Sequence, residues 1–260
     1  MLWGQPLIFE LFVLFFGMAV GSFLNVCVYR LPRSLSLIRP RSMCPNCHAK
    51  IAFYDNVPVA SYLWLRGRCR HCGTAISLRY PLVELVSGLF AVAIFARYGL
   101  SWEALLLYAL VAAILVITFI DIDHQIIPDV ITYPGIVVGF LTSFVLAHIT
   151  YKESLFGIIL GGGILFLVAW GYYLFTKREG MGGGDIKLLA MIGAFLGWKG
   201  VIFTIFVGSA IGTAVGAALA LRREQGRRLA IPFGPFLGLG ALLFLFFGPQ
   251  IIGWYVKIIR

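Results

Sequence analysis

Long apolar runs dominate this chain and set the kind of fold that it can adopt. Its mean hydropathy is +0.94, and 60% of its residues are hydrophobic while only 12% are charged. Soluble domains contain about 25% charged residues, and a helix that crosses a bilayer needs about 20 mostly apolar residues in succession. The chain is therefore predicted to be an all-α, polytopic membrane protein that lies in a lipid bilayer.

The runs predict about eight transmembrane helices. Their approximate limits are 7–28, 81–98, 102–120, 129–148, 154–176, 186–198, 200–221 and 232–252. The sixth run is short for a crossing, and a re-entrant segment is the alternative there. Gly208, Gly212 and Gly216 recur at every fourth residue, a spacing that favours close helix packing. The predicted organisation is a first helix, a polar segment and a membrane-embedded domain, at residues 1–28, 29–80 and 81–260.

Basic residues are distributed unevenly between the two sides of this topology. With the N-terminus outside, the inner loops hold 16 Lys and Arg residues and the outer segments hold 5. Loops that are rich in Lys and Arg face the cytoplasm. The polar segment 29–80 is therefore predicted to be cytoplasmic. The net charge of +10 is interpreted as this topological signal, and no nucleic-acid partner is expected.

Four of the five cysteines form two CxxC pairs in the polar segment. Cys44 and Cys47 make the first pair, and Cys69 and Cys72 make the second. Two such pairs supply the four thiolates of a tetrahedral zinc site, whereas disulfides, the alternative, are disfavoured in the cytoplasm. The predicted zinc is structural, because four protein ligands leave no open position. Its binding would help to fold a segment with little core of its own.

Two carboxylates fall at the same predicted membrane face. Asp121 follows the third apolar run. Asp185 follows a glycine-rich stretch that includes Gly182 and Gly184. Ionisable groups at membrane depth are costly and tend to be functional. In a close pair of carboxyl groups, the charged one can take a proton from water while the protonated one donates to a peptide carbonyl. The pattern favours peptide hydrolysis, and the supporting glycines would let a substrate strand approach closely.

The acidic residues also allow other interpretations. Asp129, next to Pro128 at a predicted helix start, is interpreted as a helix cap. Asp123 is interpreted either as a cap or as a residue that supports the pair. Asp121 and Asp185 would instead be proton or cation relays if the chain were a transporter. A zinc-bearing membrane scaffold is a further alternative, in which neither carboxylate has a chemical role.

Several motifs in order resemble those of the type IV prepilin peptidase family, over nearly the whole chain. The first is Gly182-Gly183-Gly184-Asp185, which matches the GxGD motif of intramembrane aspartic proteases. The others are the stretches 121–129 (DIDHQIIPD), 21–32 (GSFLNVCVYRLP) and 76–85 (ISLRYPLVEL). GxGD alone is a weak signal, whereas the set is specific. The resemblance implies that Asp121 and Asp185 are the catalytic pair.

This resemblance implies two activities. The first is removal of a short basic leader from type IV prepilins or type II secretion pseudopilins, at the cytoplasmic face of the bacterial inner membrane. The second is N-methylation of the new N-terminal residue with S-adenosylmethionine. The sequence shows no Rossmann-like glycine motif for that cosubstrate, so its binding residues stay unassigned. An intramembrane GxGD protease with another substrate is the alternative.

Overall fold

The fold is all-α in a computed structural model that describes residues 7–145, 149–178, 182–221 and 231–259. Within these ranges the chain forms eight α-helices and two short 3-10 helices. The α-helices are α1 (Leu7–Arg30), α2 (Ala60–Trp64), α3 (Arg79–Tyr98), α4 (Trp102–His124), α5 (Asp129–Thr142), α6 (Tyr151–Thr176), α7 (Gly183–Leu221) and α8 (Gly234–Ile259). The 3-10 helices are Leu31–Arg33 and Phe53–Asn56.

Six of these helices are long and apolar enough to cross a membrane: α1, α3, α4, α6, α7 and α8. The prediction of an all-α, multi-pass membrane protein is confirmed. The remaining apolar helix, α5, has 14 residues, fewer than the about 20 that a crossing needs. It covers the predicted run 129–148 as far as Thr142, and residues 146–148 lie outside the described ranges.

One helix, α7, contains two of the predicted runs. Its 39 residues are interrupted at Gly197, where φ is 68° and ψ is −177°, a region open almost only to glycine. A Cβ at Gly193 would lie 2.9 Å from Cγ2 of Val201, although a straight helix would rise about 12 Å between these positions. The chain therefore bends sharply at Gly197, and the runs 186–198 and 200–221 are the two arms of this bend.

The chain divides into two compact units, Met1–Val116 and Ile117–Arg260. In the first unit, α1 packs along α3 through small residues. A Cβ at Gly17 or at Gly21 would lie 2.6 Å from an atom of α3, and Ser87 Oγ of α3 donates to the carbonyl of Gly17 at 2.8 Å. Small residues at these positions let the helix backbones approach closely.

In the second unit, α7 packs against α5, α6 and α8. Its first arm meets α6, where a Cβ at Gly161 would lie 2.6 Å from the carbonyl oxygen of Leu189. Its second arm meets α8, where Gly208 and Gly212 both face Phe236. The close packing that the glycine spacing predicts is thus observed. This arrangement holds the start of α7 firmly against its neighbours, and that start carries Asp185.

Candidate active site and metal centre

Asp121 lies in the last turn of α4. The helix ends at His124 because Gln125 adopts a left-handed conformation, with φ of 53°. The N–H of Gln125 donates to the carbonyl of Asp121 at 2.9 Å, as in a left-handed helix cap. Asp121 is only 5% exposed. Folding therefore buries an acidic group, which is costly unless the group is hydrogen-bonded or paired.

Asp185 lies in the first turn of α7, which begins at Gly183. It is 9% exposed, and its N–H donates to the carbonyl of Gly182 at 3.2 Å. The first N–H groups of a helix have no partner inside the helix and favour a nearby negative charge. Asp185 therefore lies at a helix end that partly offsets the cost of burying a carboxyl group.

The segment after α4 and the start of α8 bring the two acidic residues into one site. Ile127 packs against a glycine next to each of them: a Cβ built at Gly184 would lie 2.7 Å from Cβ of Ile127, and one built at Gly234 would lie 3.3 Å from its Cδ1. Gly234 in turn donates its N–H to Oδ2 of Asp121 at 2.9 Å. The carboxyl groups of Asp121 and Asp185 are close enough to interact electrostatically. Residues 64 positions apart in sequence thus share a site.

The three glycines before Asp185 differ in their surroundings. A Cβ at Gly184 would lie 2.7 Å from Cβ of Ile127, whereas nothing lies within 4 Å of one at Gly183. At Gly182 the nearest atom would be Oδ2 of Asp185, at 3.8 Å. Only Gly184 is therefore required by packing. Its missing side chain makes room for Ile127 of the same chain, a use that the sequence did not indicate.

The other two acidic residues considered above, Asp123 and Asp129, are exposed. The prediction that Asp129 caps α5 is wrong, because the cap position is held by Pro128 and no side-chain cap hydrogen bond forms. Lys187 Nζ donates instead to Oδ1 of Asp129 at 2.6 Å. This ion pair joins the start of α5 to the first turn of α7. Since both side chains are partly exposed, it contributes no more than about 1 kcal/mol.

The four paired cysteines converge on one cluster. The Sγ atoms of Cys44, Cys47, Cys69 and Cys72 all lie within 4.8 Å of one another, and none of the four is in a disulfide. The separations across the cluster are 3.8 Å for Cys44 and Cys72 and 4.0 Å for Cys47 and Cys69. Four sulfurs about 2.3 Å from one ion lie about 3.8 Å apart in a tetrahedron. The cluster therefore fits a tetrahedral metal ion, as the spacing predicts.

Two similar turns build this cluster. In each turn the N–H of the first cysteine donates to the carbonyl five residues on, at 3.0 Å in the first turn and 2.9 Å in the second. The N–H four residues on donates back to that cysteine's carbonyl, at 2.9 Å in both turns. The residues are Cys44, His48 and Ala49, then Cys69, Gly73 and Thr74. The repeated hydrogen bonds give the two turns the same backbone conformation, in which both thiols of each pair lie in the cluster.

Thr74 also acts on the cluster directly. Its Oγ1 lies 3.3 Å from Sγ of Cys72, and hydrogen bonding by this hydroxyl lowers the pKa of the Cys72 thiol to about 5. Thiolates are the form that binds metals.

The loop of the second cysteine pair is also held by an ion pair. The guanidinium of Arg70 donates to Oδ2 of Asp55 at 2.8 Å and lowers the pKa of that carboxyl group. The cluster is thereby tied to the 3-10 helix Phe53–Asn56.

Two of the motif stretches face each other in the first unit. Asn25 of α1 donates its side-chain N–H to the carbonyl of Tyr80, at 3.1 Å. Glu84 of α3 is 8% exposed, and its Oε2 accepts the N–H of Val59 at 2.8 Å. Glu84 thus connects α3 to the polar segment. The sequence signal for this contact is a single acidic residue within the apolar run 81–98.

Comparison with known proteins agrees with this architecture. The model of the bacterial peptidase A24 N-terminal domain matches residues 15–98, and the model of the type IV leader peptidase family matches residues 107–217. The prepilin leader peptidase/N-methyltransferase of Aeromonas hydrophila is 35% identical over 277 residues, which cover 97% of this chain and 96% of that protein. The chain belongs to the type IV leader peptidase family.

Two further type IV leader peptidases carry the same name as the Aeromonas hydrophila protein. The one from Pseudomonas aeruginosa is 36% identical over 98% of this chain and 96% of its own length. The one from Pseudomonas putida is 37% identical over 95% of this chain and 93% of its own length. No solved structure matches with statistical significance. The two family models cover the cysteine cluster and both buried acidic residues, but the second ends before α8.

The packing at Gly184 gives a test of this leader peptidase's fold. Gly184→Ala places a methyl group against Cβ of Ile127, which cannot rotate away, so we expect a loss of about 1–3 kcal/mol from overpacking. Gly183→Ala is the matched control, because its Cβ meets open space. Thermal unfolding in detergent measures both variants. Equal unfolding midpoints for the two would contradict the close approach of Ile127.

Proposed function

We propose that this chain is a membrane aspartic endopeptidase that removes the basic leader of type IV prepilins or type II secretion pseudopilins. The observation that carries this proposal is the burial of Asp121 and Asp185 in one site, at the ends of two different helices. Membership of the family and the name that the relatives share, prepilin leader peptidase/N-methyltransferase, support the choice of substrate.

The paired acidic residues supply both proton transfers that peptide hydrolysis needs. Two close carboxyl groups do not both ionise easily, so the pair holds one proton. The charged member takes a proton from water as the water oxygen bonds to the scissile carbonyl carbon. The protonated member donates its proton to the carbonyl oxygen. When the C–N bond breaks, the protonated member gives its proton to the leaving amine, and a hydroxyl of the tetrahedral intermediate returns its proton to the charged member. The pair then again holds one proton.

The proposed reaction takes place at the cytoplasmic membrane face. In the topology predicted from the sequence, the inner loops carry 16 Lys and Arg residues, so this face is expected to be positive and attracted to anionic headgroups. A basic leader is not drawn to such a surface by charge. Recognition is therefore expected to lie in the apolar helix of the substrate, packed beside the helices of the enzyme. Anionic lipid holds the leader near the surface with about 1 kcal/mol per basic residue.

The metal that we propose for the cysteine cluster is zinc. Four thiolates in a tetrahedron are typical of structural zinc sites. All four positions belong to the protein, so the ion takes no part in hydrolysis. Its role is to fold the segment between α1 and α3.

The second proposed activity is methylation of the amine that cleavage exposes. The shared name of the relatives supports it, and S-adenosylmethionine is the proposed donor of the methyl group. The acceptor amine exists only after the peptide bond is broken, so methylation follows cleavage. Because the donor is water-soluble, its site is expected to open to the cytoplasm, against the segment 29–80.

One assay tests both activities. The purified protein is incubated in detergent with a synthetic prepilin and S-adenosylmethionine, and the product is examined by mass spectrometry. We expect loss of the leader and a gain of one methyl group. An intact substrate, in the presence of folded protein and anionic lipid, would contradict the proposed function.

A leaderless pilin separates the two activities. We expect Asp185→Asn to methylate this acceptor at the wild-type rate, because the acidic pair acts only on the peptide bond. Disruption of the cysteine cluster should reduce methylation more than cleavage. Methyl transfer and proteolysis are measured separately for each variant. If Asp185→Asn folds normally and fails to methylate the leaderless pilin, the two activities share a site.

A further inference from the structure

Gly234 occupies a special position at the start of α8. The carbonyl of Phe233 accepts the N–H groups of Phe236 and Leu237 at 3.1 and 3.2 Å, so Phe233 caps the helix and Gly234 is its first residue. The N–H of a first helical residue has no partner within its own helix. Here that N–H donates to Oδ2 of Asp121, at 2.9 Å and in a buried setting.

The missing side chain of Gly234 matters as much as its N–H. A Cβ at this position would lie 2.6 Å from Oδ2 of Asp121 and 3.3 Å from its Cγ. Real Cβ atoms do not approach other atoms so closely, so something must shift. The three nearest atoms are Oδ2 and Cγ of Asp121 and Cδ1 of Ile127, and all belong to side chains and not to backbone. A methyl group at 234 would therefore displace the carboxyl group and leave the helices in place.

We infer that Gly234 is a positioning residue for Asp121. The hydrogen bond from its N–H orients the carboxyl group of Asp121. The absence of a Cβ at Gly234 leaves the space that this carboxyl group occupies. Within the described part of the chain, no other hydrogen bond to the Asp121 side chain is found. The N-terminus of α8 also attracts negative charge. This inference rests on the proposed function, and it adds a residue that lies outside the matched family regions.

The test is steady-state cleavage of a synthetic prepilin by the full-length protein in detergent. For Gly234→Ala we expect kcat to fall by about a hundredfold, the effect of misplacing a reacting group by about 1 Å, and KM to stay within about twofold because the substrate helix binds elsewhere. Methyl transfer to leaderless pilin should be unchanged. Gly253→Ala is the matched control in the same helix, because nothing lies within 4 Å of a Cβ there.

A second measurement tests the steric clash even if Gly234→Ala folds poorly. Asp121→Ala removes the carboxyl group that the new methyl group would strike. The double variant should therefore unfold at a higher temperature than Gly234→Ala alone. Purely additive unfolding midpoints would overturn the steric part of the inference.

The outcomes separate this inference from the proposed function. Wild-type kcat in Gly234→Ala, or equal losses of cleavage and methylation, would overturn the positioning role alone, provided that Asp121→Asn and Asp185→Asn are inactive in the same assay. Normal cleavage by either Asn variant would instead overturn the proposed function. A rise in KM with unchanged kcat would also reject positioning, because it would place Gly234 in substrate binding.

Discussion

Asp121→Asn and Asp185→Asn are each expected to lower kcat for leader cleavage by at least about a thousandfold, or about 4 kcal/mol of transition-state stabilisation. An amide can neither take a proton from water nor donate one to the scissile carbonyl as the acid does. Asparagine has nearly the size of aspartate, and its carbonyl oxygen can still accept the N–H of Gly234. Both variants should therefore insert and fold, as thermal unfolding in detergent will show.

Asp123→Asn is the matched control for these variants. Asp123 lies on the same turn of α4 as Asp121 but is exposed, so Asp123→Asn should lower kcat far less than either of the other two substitutions. The assay is cleavage of a synthetic prepilin, followed by mass spectrometry. Near-normal leader removal by either Asp121→Asn or Asp185→Asn would end the two-carboxylate mechanism.

The second large effect is expected at the cysteine cluster. The purified protein should carry about one zinc ion per chain, held by four thiolates. Structural zinc contributes about 10–16 kcal/mol of apparent binding energy in small domains, so losing a ligand should unfold the segment that the ion organises. Cys44→Ser is the sharpest choice, because Cys44 is the one buried cysteine of the four. Its zinc content should fall, and residues 41–75 should become sensitive to protease.

Cys27→Ser is the control for this prediction, because Cys27 lies in α1 outside the cluster. It should keep the full zinc content. Metal analysis of the purified proteins and limited proteolysis provide the two measurements. Full retention of zinc after removal of both Cys44 and Cys72 would contradict the metal site.

The membrane fold and the metal cluster could be predicted from local patterns. Apolar runs of sufficient length leave few options in a bilayer, and two CxxC pairs restrict where four thiols can meet. The relation between Asp121 and Asp185 was predicted through topology, since alternate helix ends lie at the same membrane face. The membrane helices and the cysteine cluster are observed, because both depend on spacing along the chain, whereas the membrane face of the acidic pair stays a prediction.

The contacts around the acidic pair could not be predicted in this way. Ile127 reaches Gly184, and Gly234 reaches Asp121, through packing between helices far apart in sequence. Such a contact leaves no periodic pattern of residues in the sequence. Asp129 shows the same limit: its position favours a cap, but Lys187, more than a helix away in sequence, supplies a charged partner.

The bend at Gly197 has a consequence for the bilayer around the site. Trp198 and Lys199, with Lys152 of the adjoining α6, are residues typical of a headgroup layer. A Cβ built at Gly197 would lie 3.6 Å from Cβ of Glu153, which follows Lys152 in α6. From there the first arm of α7 rises only about 18 Å to Asp185, whereas the hydrocarbon layer is about 30 Å thick. Lipid beside this arm must therefore thin, or the acidic pair lies about 12 Å beneath the opposite headgroups. In both cases the water for hydrolysis has to reach the acidic pair from that side of the bilayer.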